Sequence, residues 1–430
     1  MTREGKQVFT LMIAASFAST IGGLPFNALP ILLGSLADSF ELTLQQTGML
    51  GSVCFSGYFI GTLASVFVIE RICWRKLTII CAFGAISALV CSSFASVEWQ
   101  APLWALVGFF AALMTCLGLR IMGQMANKER ALGLRQGVEL SVTALVLFIL
   151  PAFITIQFGF QGTALALSAV ILILSTSVFL LPSNNQQIAN MQVKSGDELN
   201  GEPTSAQTEA TAPKDEATKN PIKYIDPIVW CALAAFFVFG AGNIGLWAFL
   251  ERIGNSLELA PAEMGTVFAV LKLLGGGAAL VIALVGERLG LRWPYALVLL
   301  VITFGLVLLW RADSFITFAL GAWIWEVGFT WGCVYQTAAV ARLDPKGRGI
   351  MLIPTAFALS SMVGPGLAGQ LFELGYAWLL LWAFGSSIVA ALLFAGPLTK
   401  GLRQKNSTET DESSATWPVT VQNVSLADKA

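Results

Sequence analysis

The chain has 430 residues, of which 56 % are hydrophobic and 12 % charged, with a formal net charge of -1 and a mean hydropathy of +0.73. A water-soluble fold of this length needs far more polar surface, so lipid is the solvent for most of the chain. The near-neutral balance gives no global basic footprint and the apolar runs leave no soluble domain able to grip nucleic acid, so that class is excluded.

Crossing a bilayer takes about 20 residues of helix, and uncharged stretches of that length recur from the first residues onward. Breaks at Gly, Pro and charge clusters place spans at roughly 8 to 36, 46 to 69, 76 to 96, 101 to 124, 134 to 157 and 162 to 181. Six more follow at roughly 226 to 250, 263 to 286, 293 to 311, 315 to 341, 350 to 373 and 376 to 397. The short alternating segments of a membrane β-barrel are absent, so the expected fold is all-α and integral to the membrane. The first span is long and carries Pro25 and Pro30 near its far end, unlike a cleaved leader, and is expected to remain in the mature protein.

Residues 182 to 223 lose their apolar content and become rich in Ser, Asn, Gln, Thr, Glu, Pro and Lys, which reads as a disordered linker between bundles at 1 to 181 and 224 to 398; residues 399 to 430 form a similar tail. Lys and Arg concentrate in alternate loops, at Arg71, Arg75, Lys76, Lys128, Arg130, Arg135, Arg288, Arg292, Arg342, Lys346 and Arg348. The opposite loops hold Arg252 and Arg311 beside Asp38, Glu41, Glu98, Glu258 and Asp313. Cations are retained on the cytoplasmic side, so both termini and the linker are expected there, in the inner (plasma) membrane. The seven cysteines show no paired spacing of a metal site or disulfide framework and read as packing residues. Histidine is absent, so proton chemistry falls to carboxylates.

The halves align on themselves at an offset of 217 residues. Ser39, Glu41, Leu42 and Gly48 match Ser256, Glu258, Leu259 and Gly265, and the register runs without a gap through Val53 and Val270, Leu63 and Leu280, Val68 and Val285, to Glu70-Arg71 and Glu287-Arg288, and then Arg75 and Arg292. Lys128 and Arg130 meet Lys346 and Arg348 at 218. Parallel six-helix repeats about an axis along the membrane normal, with substrate bound between the halves, describe the major facilitator architecture.

The loop Glu70-Arg71-Ile72-Cys73-Trp74-Arg75 and its copy Glu287-Arg288-Leu289-Gly290-Leu291-Arg292 resemble the signature of that superfamily, an acid-Arg pair, a Gly and further cations between spans two and three. The likeness covers about residues 8 to 400. It departs from the pattern at Glu70 and Glu287, which replace Asp, at Val66 and Ala283, where a Gly is usual, and at Cys73. The resemblance implies twelve helices in two pseudo-symmetric six-helix bundles, transport rather than catalysis, no cofactor, and a gating role for Glu70, Arg71, Arg75, Glu287, Arg288 and Arg292. The plainer alternative makes them orientation-setting cations with neighbouring acids.

Ionisable groups deep in a bilayer cost about 2.5 to 3.5 kcal/mol each by insertion scales, so each is a functional candidate. Lys272 sits near the middle of the eighth span and Glu326 near the middle of the tenth. They form either a substrate counter-ion with a proton carrier or a static pair that fixes packing. Spacing of three and four places Trp323 and Thr330 on the face of Glu326, with Trp325, Trp331, Tyr335 and Gln336 beside them, an arrangement suited to an aromatic-lined pocket. Arg120 either snorkels to the headgroups or points into the cavity. Arg135 and Glu139, four apart, pair on one helix face, and Glu139 is the alternative proton carrier. Asn27 and Asn243, among the helix breakers of the first span of each half, either face solute or bridge helices.

The expected function is secondary transport of a small solute by a monomer, as proton-coupled symport of a small organic anion. The alternatives are proton-driven export of amphipathic compounds, which the tryptophan-rich tenth span would suit, and a sensor that binds solute without moving it.

Overall fold

A computed structural model describes residues 3–123, 125, 128–181, 226–285, 292–343 and 352–394. The expected linker and tail, and Glu287 and Arg288, lie outside these residues. The described residues are helical with no strand. Helix α1 (Arg3–Asn27) and α2 (Leu29–Phe40) form the first pass, followed by α3 (Leu44–Arg71), α4 (Trp74–Phe94), α5 (Val97–Gly123), α6 (Lys128–Ile149) and α7 (Ile156–Ser175). The second half runs α8 (Pro227–Ser256), α9 (Pro261–Val285), α10 (Arg292–Trp310), α11 (Phe315–Leu343), α12 (Ile353–Glu373) and α13 (Tyr376–Leu393). With the junctions resolved below, these make twelve passes in two sets of six.

The first pass bends where the sequence removes donors. Pro25 lies inside α1 and Pro30 at the start of α2, yet the Ala28 and Leu32 amides still donate to Leu24 and Ala28 at 2.9 and 3.0 Å, so the pass continues through the bend. The fifth pass extends as a π-helical segment, Leu150–Thr155, around Pro151. It ends at Gly159, whose φ of 56° and ψ of -148° break the helix within α7. The fifth and sixth passes therefore abut at one glycine, where the sequence reading left a gap between 157 and 162.

Among the described residues, eight helical spans are long and apolar enough to cross a membrane on composition alone, and one of them, Leu134–Leu180, holds both of these passes. The ninth, tenth and eleventh passes, α10, α11 and α12, are not among them, and for α10 the reason is length, its apolar part being Tyr295–Trp310. Helices that line a polar interior need less lipid-facing surface, and α11 carries the buried Glu326 and Gln336 while α12 carries the buried Ser360 and Ser361.

The repeat seen in sequence is repeated in backbone geometry. Glu41 and Glu258, 217 residues apart, are the two non-glycine residues with positive φ among those described, at 52° and 55°. Thr43 and Gln46 form a capping box at the start of α3. At the equivalent positions before α9, the Glu263 carboxylate accepts from the Ala260 amide at 2.8 Å.

Contacts between halves obey the same symmetry. A Cβ added to Gly48 would run into the Pro365 carbonyl, and one on Gly265 would lie 2.8 Å from the Phe148 carbonyl. Gly48 and Gly265 are 217 apart, and so are Phe148 and Pro365. Each half thus lays a glycine of its second pass on the backbone of the other half's fifth pass. Small residues permit such approach, and dispersion then replaces the missing hydrophobic drive between helices in lipid.

Further links hold the same end of the molecule. Arg252 bonds Asp38 at 2.6 Å and also donates to the Gly34 carbonyl; the Ser52 hydroxyl accepts from the Gly366 amide at 2.8 Å; Glu373 accepts from the Gln45 amide at 3.1 Å. The end bearing the turns at Glu41, Gly159, Glu258 and Gly375 is therefore sealed. Substituting Gly48→Val is expected to force that seal apart. In a variant lacking the native cysteines, Ser35→Cys in α2, at a site 4 % exposed, should react with a soluble maleimide severalfold faster once Gly48→Val is added. An unchanged labelling rate would show that the glycine contact does not hold the seal.

Candidate functional site

The two ionisable groups that the sequence places deepest come together within the C-terminal half. The Lys272 ammonium on α9 lies 4.0 Å from a Glu326 oxygen on α11, with side chains 12 % and 9 % exposed. The same ammonium sits over the Trp247 ring of α8, 3.8 Å from its centroid. Glycine at 275 leaves room for the Glu326 carboxylate, since a Cβ there would lie 2.7 Å from its oxygen. A 4.0 Å separation is a charge contact rather than a tight hydrogen-bonded bridge. Lys272 is shared among several partners.

The facing half supplies a second charged group. Arg135 on α6 binds Glu139 at 2.6 Å and donates to the Ser19 hydroxyl of α1 at 2.7 Å, with a further bond to Gln136 at 2.6 Å. This is the expected i, i+4 pair, and Ser19 ties it to the first pass. Glu139 stands on α6, which packs against α9: a Cβ on Gly276 would run into the side chain of Leu140, the residue after Glu139. In a medium of low dielectric charges on such neighbouring helices are weakly screened, so a carboxylate of each half bears on Lys272.

An aromatic wall completes the center. The Trp247 indole donates to the Phe26 carbonyl of α1 at 3.4 Å, joining the halves through their first passes. Phe26 stacks on Phe55 of α3 at 5.0 Å and takes the edge of Tyr58 at 4.5 Å.

Other candidates fall elsewhere. Asn243 is 0 % exposed and fully engaged, donating to the Phe239 carbonyl at 2.9 Å and Ser387 at 3.2 Å and accepting from the Trp325 indole at 2.9 Å. In this conformation it bridges α8, α11 and α13 and offers nothing to a solute. Trp323 is half-buried, its indole donating to the Val267 carbonyl at 3.0 Å. Asn27 is half-buried beside Gly23, to whose carbonyl it donates at 3.1 Å; Gly23 packs against Glu139. Arg120 is exposed in the last turn of α5.

Of the loop residues, Arg71 is exposed, and Arg75 lies 5.4 Å from the ring centroid of Phe179 in its own half. Glu70 and Arg292 are in helices, and the described contacts do not include their side chains.

Sequence reasoning missed Trp247, Phe26, Phe55 and Tyr58, because aromatic residues in apolar runs carry no local signal. It also missed the Asp38–Arg252 pair across the seal, although both charges were visible near the ends of the first pass of each half.

The Asn243 assignment has a direct test. Asn243→Ala leaves the Trp325 indole without its acceptor, a loss of about 1 to 3 kcal/mol. It should lower the thermal unfolding temperature of the purified protein while leaving transport per folded molecule unchanged; reduced solute affinity at unchanged stability would put Asn243 in the site instead.

A sequence profile of the Major Facilitator Superfamily matches residues 11–350. A search among curated proteins finds no sequence match. Among solved structures, the chain is similar to a D-xylose-proton symporter, with a TM-score of 0.69 and 12 % identity over 92 % of this chain and 99 % of that one. It is similar also to the xylose transporter XylE from E. coli in an inward open state, with a TM-score of 0.66, 11 % identity and coverage of 90 % and 96 %. A partially occluded inward open state of XylE gives 0.67, 12 %, 90 % and 97 %. At these identities the likeness is one of fold.

Proposed function

Since the chain belongs to the Major Facilitator Superfamily, whose members carry solutes across membranes, we propose that it is a proton-coupled symporter of a small organic anion. The observation that carries this reading is the Lys272–Glu326 contact at 4.0 Å within the C-terminal half, between α9 and α11. As a pair, the two charges sum to zero. A proton on Glu326 leaves Lys272 in excess, and an anion on Lys272 restores neutrality. The empty and the doubly loaded centers therefore carry the same net charge, whereas a center holding proton or anion alone carries one more unit. Moving an uncompensated charge through low dielectric is expensive. The half-loaded forms are thus slow to reorient, which couples the two fluxes.

Glu326 suits the proton better than Glu139. Arg135 holds Glu139 at 2.6 Å with Ser19 alongside, so protonating Glu139 would strand a guanidinium.

By the distribution of Lys and Arg, the end bearing the termini is cytoplasmic, the sealed end is external, and this conformation faces inward. That the similar XylE structures are described as inward open agrees with this orientation. The plasma membrane, a monomeric state and a cytoplasmic linker between bundles 1 to 181 and 224 to 398 complete the proposal. The cationic loops, including Glu70, Arg71, Arg75, Glu287, Arg288 and Arg292, would close the cytoplasmic side in the alternate state.

Proteoliposome uptake of a panel of monocarboxylates tests the reading. An inward-directed proton gradient should drive accumulation, and an imposed membrane potential alone should not, because one proton and one anion cross together. Glu326→Gln should abolish accumulation above equilibrium while permitting exchange. If Glu326→Gln still concentrates solute under the gradient, Glu326 does not carry the proton; uptake driven by potential alone would contradict neutral coupling.

A further inference from the structure

A circuit of groups runs around the center. Lys272 lies over Trp247; Trp247 bonds the Phe26 carbonyl; Phe26 meets Tyr58 edge to face; and Glu139 stands on α6, which packs against α9 where Leu140 meets Gly276. The circuit takes members from five helices, α1, α3, α6, α8 and α9, and crosses between halves twice. Phe26, Tyr58, Glu139 and Lys272 keep partial exposure, while Trp247 is buried beneath Lys272. That residual exposure is the surface a solute entering between the bundles would meet.

The circuit is chemically divided. Lys272 and Glu139, with Glu326 beside Lys272, form an ionic arc, and Trp247, Phe26 and Tyr58 form an aromatic arc facing it. A solute that fills the space must match both. A short aliphatic acid would satisfy the cation and leave the rings against water or voids. A neutral aromatic would satisfy the rings and leave the cation to its present partners.

We propose that the central site takes an aromatic carboxylate, with its anionic end on Lys272 and its ring in edge and offset contact with Phe26, Tyr58 and Trp247. This rests on the organic-anion reading above and specifies its substrate class. The Trp247 face that now receives the ammonium contributes to the switch. When a carboxylate draws Lys272 toward itself, it weakens the cation–π contact, and the substrate ring supplies a replacement partner for the indole. Phe26 and Trp247 come from opposite halves, so a ring held between them also draws the halves together.

The test compares acids of nearly equal size and equal charge that differ in aromaticity. Binding of benzoate against cyclohexanecarboxylate, and of phenylacetate against cyclohexylacetate, is measured by calorimetry on the purified full chain in mildly acidic buffer, with benzamide as the uncharged aromatic control. The aromatic acid of each pair should bind about tenfold more tightly, the preference expected of two favourable ring contacts. Phe26→Leu and Tyr58→Leu should shrink that preference while weak binding of both acids remains, and Lys272→Gln should remove both.

Equal affinity within both pairs would overturn the aromatic assignment and leave the anion reading standing. No binding of any acid to protein with its normal unfolding transition would overturn both. Benzamide binding as tightly as benzoate would remove the role of charge, and with it the anion reading. An undiminished preference in a folded Phe26→Leu, Tyr58→Leu double variant would place the ring elsewhere.

Discussion

An ammonium buried in a membrane protein must find compensating charge within its own reach, and the arrangement around Lys272 follows from that requirement. Glu326 lies at 4.0 Å, the Trp247 face at 3.8 Å, and Glu139 stands on the helix of the opposite bundle that packs against α9. No one of these is an ideal bridge. Together they hold a cation whose partners can be exchanged one at a time, which a tight bidentate pair would resist. The contrast with Arg135 is instructive: its bonds at 2.6 and 2.7 Å to Glu139 and Ser19 fix that group within the N-terminal half. One charged pair is anchored and the other is loosely held, and the loosely held pair is the one suited to respond to a solute.

The scaffold that brings these groups together is one design used twice. Local chemistry reproduces itself at an interval of 217 residues, in the left-handed turns at Glu41 and Glu258, the caps that follow them, and the reciprocal seats of Gly48 on Pro365 and Gly265 on Phe148. Duplication gives two equivalent joints on one end, about which the bundles can rock while the center stays enclosed. The two copies differ at the center. Lys272 stands at the position equivalent to Phe55, so the same site in the two copies provides the cation and part of the aromatic wall. The seal is likewise unequal, with Arg252 reaching across to Asp38 and the Gly34 carbonyl.

Sequence alone made much of this visible. The helical class, the pass count and the repeat follow from apolar length and register, since these reflect the solvent and the duplication directly. Lys272 and Glu326 could be found because charge is rare in such spans, and Arg135 with Glu139 because helical spacing puts them together. Roles set by contacts between distant helices were harder to read. For Asn243 the sequence allowed a role facing solute or bridging helices, and the helices it joins became visible only with its three bonds. Trp247 is one of 13 tryptophans and lies 25 residues from Lys272, so no local pattern joins them. The junction at Gly159 was blurred because an uninterrupted apolar run hides a turn that needs a single glycine.

The most direct test of the central claim is a double-mutant cycle on thermal unfolding between Lys272 and Glu326, each replaced by Met. If the two charges compensate each other in the bilayer, either single replacement leaves a buried charge exposed to its own desolvation, and should destabilise the protein by about 3 kcal/mol or more. The double replacement should then recover most of that loss. Strictly additive losses in the double variant would mean that the two groups do not act as a pair, and the charge-exchange mechanism built on them would fail.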